Sequence, residues 1–185
     1  MPKSPVLGSG VRTKSAWLIV VPFFLLAGPT RASLAIGAVL SLVGLALRAW
    51  SAGTIHKGET LTTSGPYAFI RNPLYVGSFL IGAGLAIAGG SWLWLVLFLG
   101  FFAAVYGPTV AAEAARLTEK FGHRYVEYSA QVPAFIPRLT PFRGAGGQSA
   151  AGFEWSQYQR NREWEALLGA AAAFAVLWLK MVWLG

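Results

Sequence analysis

The chain has no cysteine and only two histidines, His56 and His123, among its 185 residues. The first absence excludes a disulfide framework, a thiolate metal site and a cysteine nucleophile. The second leaves too few imidazoles for a histidine-rich metal or haem centre, so no metal is expected. Charge is scarce as well. Asp, Glu, Lys and Arg make up 12% of the residues and 55% are hydrophobic, whereas soluble globular chains carry about 25% charged residues. Acidic residues are the scarcest, 7 against 15 Lys and Arg, for a formal net charge of +8. In a soluble chain that imbalance points to nucleic acid. In one this apolar it reflects basic residues gathered in cytoplasmic loops, and nucleic acid is not an expected partner.

What the sequence does contain is long apolar runs. Residues 72–112 carry no formal charge, with Gly89-Gly90-Ser91 near their middle. A hydrocarbon layer about 30 Å thick is crossed by about 20 helical residues at about 1.5 Å each, so this run reads as a helical hairpin, 74–88 and 92–106. Upstream, 16–28 and 34–50 form a second, shorter pair parted by Gly28-Pro29-Thr30-Arg31, with Pro22 inside the first member. Downstream, 166–185 is apolar except for Lys180, near enough the end to snorkel to the interface. The expected fold is all-α, a polytopic membrane helix bundle of about five transmembrane helices in one domain over residues 1–185.

The basic residues test this layout, because cytoplasmic loops are the positive ones. All Lys and Arg except Arg31 and Lys180 fall on one side, which predicts a cytoplasmic N-terminus and an external C-terminus. The N-terminal run lacks a convincing small-residue cleavage site and is expected to be retained. Gly37, Ser41, Gly44, Gly77, Gly82 and Ala86 suit close helix packing, and Trp92, Trp94, Trp178 and Trp183 suit interfacial belts.

Polar groups concentrate in 51–73 and 113–165, and any site is expected there. Asn72-Pro73 puts an Asx cap and a helix-compatible proline at the start of a span. Leu117, Phe121, Tyr125, Tyr128 and Val132 form one apolar stripe at helical spacing. Glu113, four residues earlier, extends along that stripe at the membrane boundary, where a carboxylate requires a partner, either Arg71 or a bound cation. Val132-Pro133-Ala134-Phe135-Ile136-Pro137 reads as rigid extended chain, and 144–149 as a flexible loop. The polar, aromatic stretch 155–165 fits either an interfacial helix anchored by Trp155 and Trp164 or an acceptor site.

The string Gly65-Pro66-Tyr67, then Arg71-Asn72-Pro73-Leu74-Tyr75-Val76-Gly77, then Glu113 to Leu117, Phe121-Gly122, Tyr125, Tyr128 and Val132-Pro133 to Ile136-Pro137 resembles the isoprenylcysteine carboxyl methyltransferase and phospholipid methyltransferase superfamily. The resemblance covers about residues 45–138, and the span count agrees with its small prokaryotic members, implying a prokaryotic inner membrane. It implies an integral membrane methyltransferase using S-adenosylmethionine, with S-adenosylhomocysteine as product, the cofactor entering from the cytoplasm and a lipophilic acceptor from the bilayer. The implied cofactor-binding residues are Tyr67, Arg71, Asn72, Pro73, Tyr75, Gly77, Glu113, Tyr125 and Tyr128. Among them Glu113 is matched by charge to the cofactor's ammonium or ribose, and Arg71 to its carboxylate. Asn161, Arg162 and Glu163 are the expected residues at the acceptor.

Two positions depart from the family pattern: Asn72 stands where a histidine is common, and Ala114 where a second glutamate is. Asparagine does not titrate, which excludes proton transfer at 72 and leaves a cofactor-orienting role. The acceptor most like the family's usual one is an isoprenylcysteine carboxylate. A phospholipid amine, a small thiol, and a non-enzymatic membrane scaffold are the alternatives. Small-residue faces allow a dimer without requiring one.

Overall fold

A computed structural model of the protein describes residues 9–56, 60–143 and 152–184. Its helices are α1 (Ser9–Leu26), α2 (Arg31–Thr54), a 3-10 turn (Gly65–Ala68), α3 (Pro73–Ala88), α4 (Trp92–Phe121), α5 (His123–Gln131), α6 (Trp155–Arg160) and α7 (Trp164–Leu184). No strand occurs among the described residues, and the fold is all-α, as a helical membrane bundle requires. Three helices, α2, α4 and α7, are long and apolar enough to cross a membrane, while α1 over Trp17–Leu26 and α3 are shorter apolar helices. These five occupy the places of the five expected spans. The expected loop at 144–149 lies outside the described residues.

Several boundaries differ from the sequence reading: α1 begins at Ser9 rather than 16, α2 spans Arg31–Thr54 rather than 34–50, and the largest change is in the fourth span. The fourth span does not end at 106 but continues through Pro108 as one helix of 30 residues, about 45 Å long. The hydroxyl of Thr109 donates to the Val105 carbonyl in the turn around that proline (2.7 Å). The break comes later, at Gly122, whose φ of 55° belongs to the left-handed region that favours glycine. The apolar stripe is therefore shared between α4 and α5.

The chain forms two compact units. One comprises the described residues of 1–42, 79–112 and 169–185, the other 43–78 and 113–168; α2, α3, α4 and α7 each contribute to both. In the first unit the expected small residues do pack. A Cβ on Gly37 would stand 2.3 Å from the Gly84 carbonyl oxygen, so the α2 and α3 backbones meet there. Ser41 Oγ donates to the Ile81 carbonyl (3.2 Å) and Ser33 Oγ to that of Ala88 (3.2 Å). Phe23, Ala27, Leu34, Ala86, Ala88, Trp94 and Leu177 form the buried core of this unit. Trp94 is thus a core residue, edge-on to Phe23 at 5.2 Å, and not part of an interfacial belt; Trp92, Trp178 and Trp183 are exposed. Lys180 takes specific partners. Its Nζ donates to the carbonyls of Phe24 (3.0 Å) and Leu25 (2.6 Å), placing a cation on unfilled carbonyls at the C-terminal end of α1.

Candidate functional site

The second unit holds the polar residues. Its centre is the chain from the 3-10 turn into α3, which begins with Gly65 at φ 57°. A Cβ there would lie 2.9 Å from Thr54 Cγ2, and Pro66, Tyr67 and Ala68 follow in buried positions. The stretch after α5, expected to be extended, instead bends at Val132 and again over 134–136, and together with the residues that follow it straps this entry. Phe142 N donates to Ala68 O (2.8 Å), Arg138 N to Phe69 O (3.0 Å) and Arg71 N to Pro133 O (2.9 Å). Tyr128 Oη donates to Tyr67 O (2.7 Å). Pro73 opens α3 as expected, with the Asn72 carbonyl accepting from Tyr75 N and Val76 N. The Asn72 side chain does not cap that helix; its Nδ2 donates to the Ala134 carbonyl (3.1 Å). Leu61, Tyr125, Tyr128 and Val132 form the apolar floor, with Ala114, Leu117, Phe121 and Phe142 against them.

Over this floor lies a cavity of about 320 Å³, lined by Tyr67, Arg71 and Asn72 from the α3 entry, Glu113, Ala114 and Lys120 from α4, Tyr125 and Tyr128 from α5, and His56 and Thr62 from the segment after α2. Six of the nine expected cofactor residues are thereby brought together. A seventh, Tyr75, reaches the group through Glu113, donating from Oη to Oε2 at 2.7 Å. Tyr75 is the hydrogen-bond partner of Glu113; no ion pair joins Glu113 to Arg71 among the described residues. Pro73 and Gly77 do not line the cavity. Pro73 is fully buried at the helix start, and Gly77 admits the Gly44 carbonyl and the Arg48 side chain, which a Cβ would meet at 2.8 and 2.5 Å.

Burial pushes the Tyr67 hydroxyl far above the ordinary tyrosine range; nearby Tyr128, Glu113 and Glu163 push the same way and Arg48 opposes them. Tyr128 is likewise raised, by burial first and then by Tyr125. Both remain neutral hydrogen-bond donors at physiological pH. Two buried side-chain atoms at this site have no hydrogen-bond partner in the structure, Tyr67 Oη and Arg71 Nε.

The expected acceptor residues lie on the turn between α6 and α7, and none of the three lines this cavity. Glu163 is 7% exposed and takes both oxygens to Arg48, from Nε to Oε2 and from Nη2 to Oε1, each at 2.8 Å. Arg48 Nη1 also donates to Ser78 Oγ and to the Leu74 carbonyl of α3. Asn161 Nδ2 donates to Ala52 O (2.8 Å). Arg162 has φ 55°, is 68% exposed and pairs with Glu165. The importance of Arg48 was missed in the sequence, although a cation at the end of an apolar run signals a need for a partner. His56, at the cavity and 3.8 Å from Glu154, carried no sequence signal.

The family model described as phospholipid methyltransferase matches residues 32–124. The cobalt-zinc-cadmium resistance protein CzcN of Cupriavidus metallidurans is 36% identical over 128 residues, 68% of this chain and 56% of the relative. The nickel-cobalt-cadmium resistance protein NccN of Alcaligenes xylosoxydans xylosoxydans is 32% identical over 128 residues, 68% and 57% of the two chains. A protein-S-isoprenylcysteine O-methyltransferase of Schizosaccharomyces pombe is 33% identical over 84 residues, 45% and 36%. The chain spans about half the length of the curated relatives it matches first. No solved structure gives a significant match.

Proposed function

The chain belongs to the phospholipid methyltransferase family, and from that premise we propose that it transfers a methyl group from S-adenosylmethionine, held in the cavity of Tyr67, Arg71, Asn72 and Glu113, to a lipophilic acceptor. The observation that carries this reading is one guanidinium and one carboxylate, Arg71 and Glu113, lining the same cavity of about 320 Å³, a volume within the range of small-molecule sites. Opposite charges without a mutual ion pair suit a ligand that carries both signs, as an amino-acid moiety does. Tyr125 and Tyr128 add aromatic walls fit for a purine.

When bound, the cofactor supplies an electrophilic methyl group on a sulfonium. Displacement there needs alignment and exclusion of water more than acid–base chemistry. The residues suit that demand. Glu113, oriented by Tyr75, would hold the cofactor's ammonium, and Arg71 its carboxylate. Asn72, bonded to Ala134, ties the α3 entry to the strap and moves no proton. Ala114 leaves room where a second carboxylate is common in the family.

The relatives' names divide between metal resistance and prenylcysteine methylation, and methylation is the reading that gives the cavity a ligand. An isoprenylcysteine carboxylate is the acceptor most like that of the Schizosaccharomyces pombe relative, with a lipid amine or a thiol as the alternatives. The basic-residue distribution supports a cytoplasmic N-terminus. Calorimetric titration of the detergent-purified protein with S-adenosylhomocysteine tests the proposal. The expected result is micromolar binding, weakened at least about tenfold by Glu113→Ala, or about 1.4 kcal/mol. A folded protein that binds nothing at millimolar ligand overturns it.

A further inference from the structure

We propose that the strap after α5 docks on anionic lipid: Phe135, Ile136 and Leu139 enter the headgroup boundary of the leaflet at which α3 begins, with the charge of Arg138 and Arg143 set against its phosphates. The proposal is independent of what the cavity binds.

The starting observation is how the strap sorts its apolar side chains. Val132 is buried in the apolar floor, and Phe142 turns inward, its ring 5.4 Å from that of Tyr128. Phe135, Ile136 and Leu139, within five positions, are 41, 78 and 98% exposed. Exposed apolar side chains are ordinary on a helix that faces lipid, but this segment is not helical and belongs to none of the apolar helices. Its backbone is also pinned. Arg71 N donates to Pro133 O, Arg138 N to Phe69 O and Phe142 N to Ala68 O, and Asn72 Nδ2 donates to Ala134 O. Apolar groups held outward by a fixed backbone mark a binding surface.

Position, charge and backbone together name the occupant. The strap's anchors are residues 68–72, directly before the apolar helix α3, so it lies where polar chain gives way to an apolar span. Between Glu127 and Glu154 the only charged residues are Arg138 and Arg143, a sign that suits anionic headgroups. Hydrocarbon excludes irregular chain with unpaired backbone groups, which limits entry to the boundary region. The strap is adapted to that depth. Pro133, Pro137 and Pro141 carry no amide hydrogen, and the amides of Arg138 and Phe142 are bonded, so half of the ten positions 133–142 present no free donor. A second copy joined through this patch about a two-fold axis would set the same arginines against each other.

The absence of cysteine makes the test direct, because Leu139→Cys carries a single fluorophore at a side chain that packs on nothing. The full-length protein is reconstituted in vesicles of phosphatidylcholine, with or without phosphatidylglycerol, containing lipids brominated near the carbonyl end of their acyl chains. A label at Glu119→Cys, exposed in the last turn of α4, is the reference. The expected result is quenching at position 139 at least about twofold stronger than at 119, since a group about 5–10 Å into the boundary lies beside the bromines. Ile136→Cys should repeat it. Phosphatidylglycerol should strengthen the quenching at 139, and Arg143→Gln should remove that increment.

Equal quenching at 139 and 119 overturns the proposal. Quenching at 139 that is the same with and without phosphatidylglycerol overturns anionic lipid as the partner. Unlabelled Leu139→Cys that oxidises to disulfide-linked dimers in vesicles, with no quenching of the labelled form, overturns it in favour of a second copy of the chain.

Discussion

Tyr75 Oη donates to Glu113 Oε2 at 2.7 Å, joining the first turn of α3 to α4 across 38 positions of sequence. The bond fixes the orientation of the one carboxylate that lines the cavity. It leaves Arg71 without an ion-pair claim on that group.

Tyr75→Phe should therefore weaken S-adenosylhomocysteine binding less than Glu113→Ala does, by about threefold to tenfold, because the carboxylate remains but is no longer oriented. Calorimetry on the two variants ranks them. Equal losses would make the phenol a ligand contact in its own right.

The Arg48–Glu163 pair joins a buried carboxylate to a half-buried guanidinium with both carboxylate oxygens engaged. Removing one partner leaves an uncompensated charge, so Arg48→Ala is expected to destabilise by about 3–5 kcal/mol. Replacing both, as in Arg48→Leu with Glu163→Leu, should cost less than either single change. Unfolding of the singles and the double by denaturant measures this. Additive losses would show that the two side chains are not coupled.

Gly37 faces the Gly84 carbonyl with no room for a side chain. Gly37→Leu is expected to force the helices apart and to destabilise by at least about 1–3 kcal/mol. Gly100→Leu, where a Cβ meets nothing within 4 Å, should stay within about 0.5 kcal/mol. Melting temperatures in one detergent compare the two.

The raised tyrosines predict an alkaline limit. In the unfolded chain Tyr67 and Tyr128 lose their protons near the ordinary tyrosine value of 10.0, whereas in the folded protein they hold them to higher pH. The stability they contribute is fully present below about pH 10 and lost above it, by at most about 1.4 kcal/mol per pH unit for each group. Unfolding measured between pH 8 and 11 should show this decline, and Tyr67→Phe with Tyr128→Phe should flatten it. An unchanged slope would mean that other groups set the limit.

Much of the site was legible because it is local in sequence. Tyr67, Arg71 and Asn72 lie within six positions around Gly65-Pro66 and Asn72-Pro73, whose backbone preferences fix the turn and the helix start. Tyr125 and Tyr128 follow Glu113 on an apolar stripe that survives the break at Gly122 because both helices pack on the same floor. The roles expected of Asn161, Arg162 and Glu163 were read from polarity alone, which does not reveal that Glu163 is held by an arginine 115 residues away.

The sequence by itself determined the all-α class, the apolar helices, the hairpin turn at Gly89-Gly90 and the close-packing glycines, since hydropathy, helical period and backbone preference are properties of neighbouring residues. Only the tertiary structure decided the partners of the few polar groups. Lys180 meets the end of α1, Arg48 meets Glu163, Glu113 meets Tyr75, and Tyr67 is left without an acceptor. Those outcomes depend on the distances between helices, where a buried charge or hydroxyl takes whichever complementary atom the packing brings within about 3 Å, and no local pattern encodes that distance.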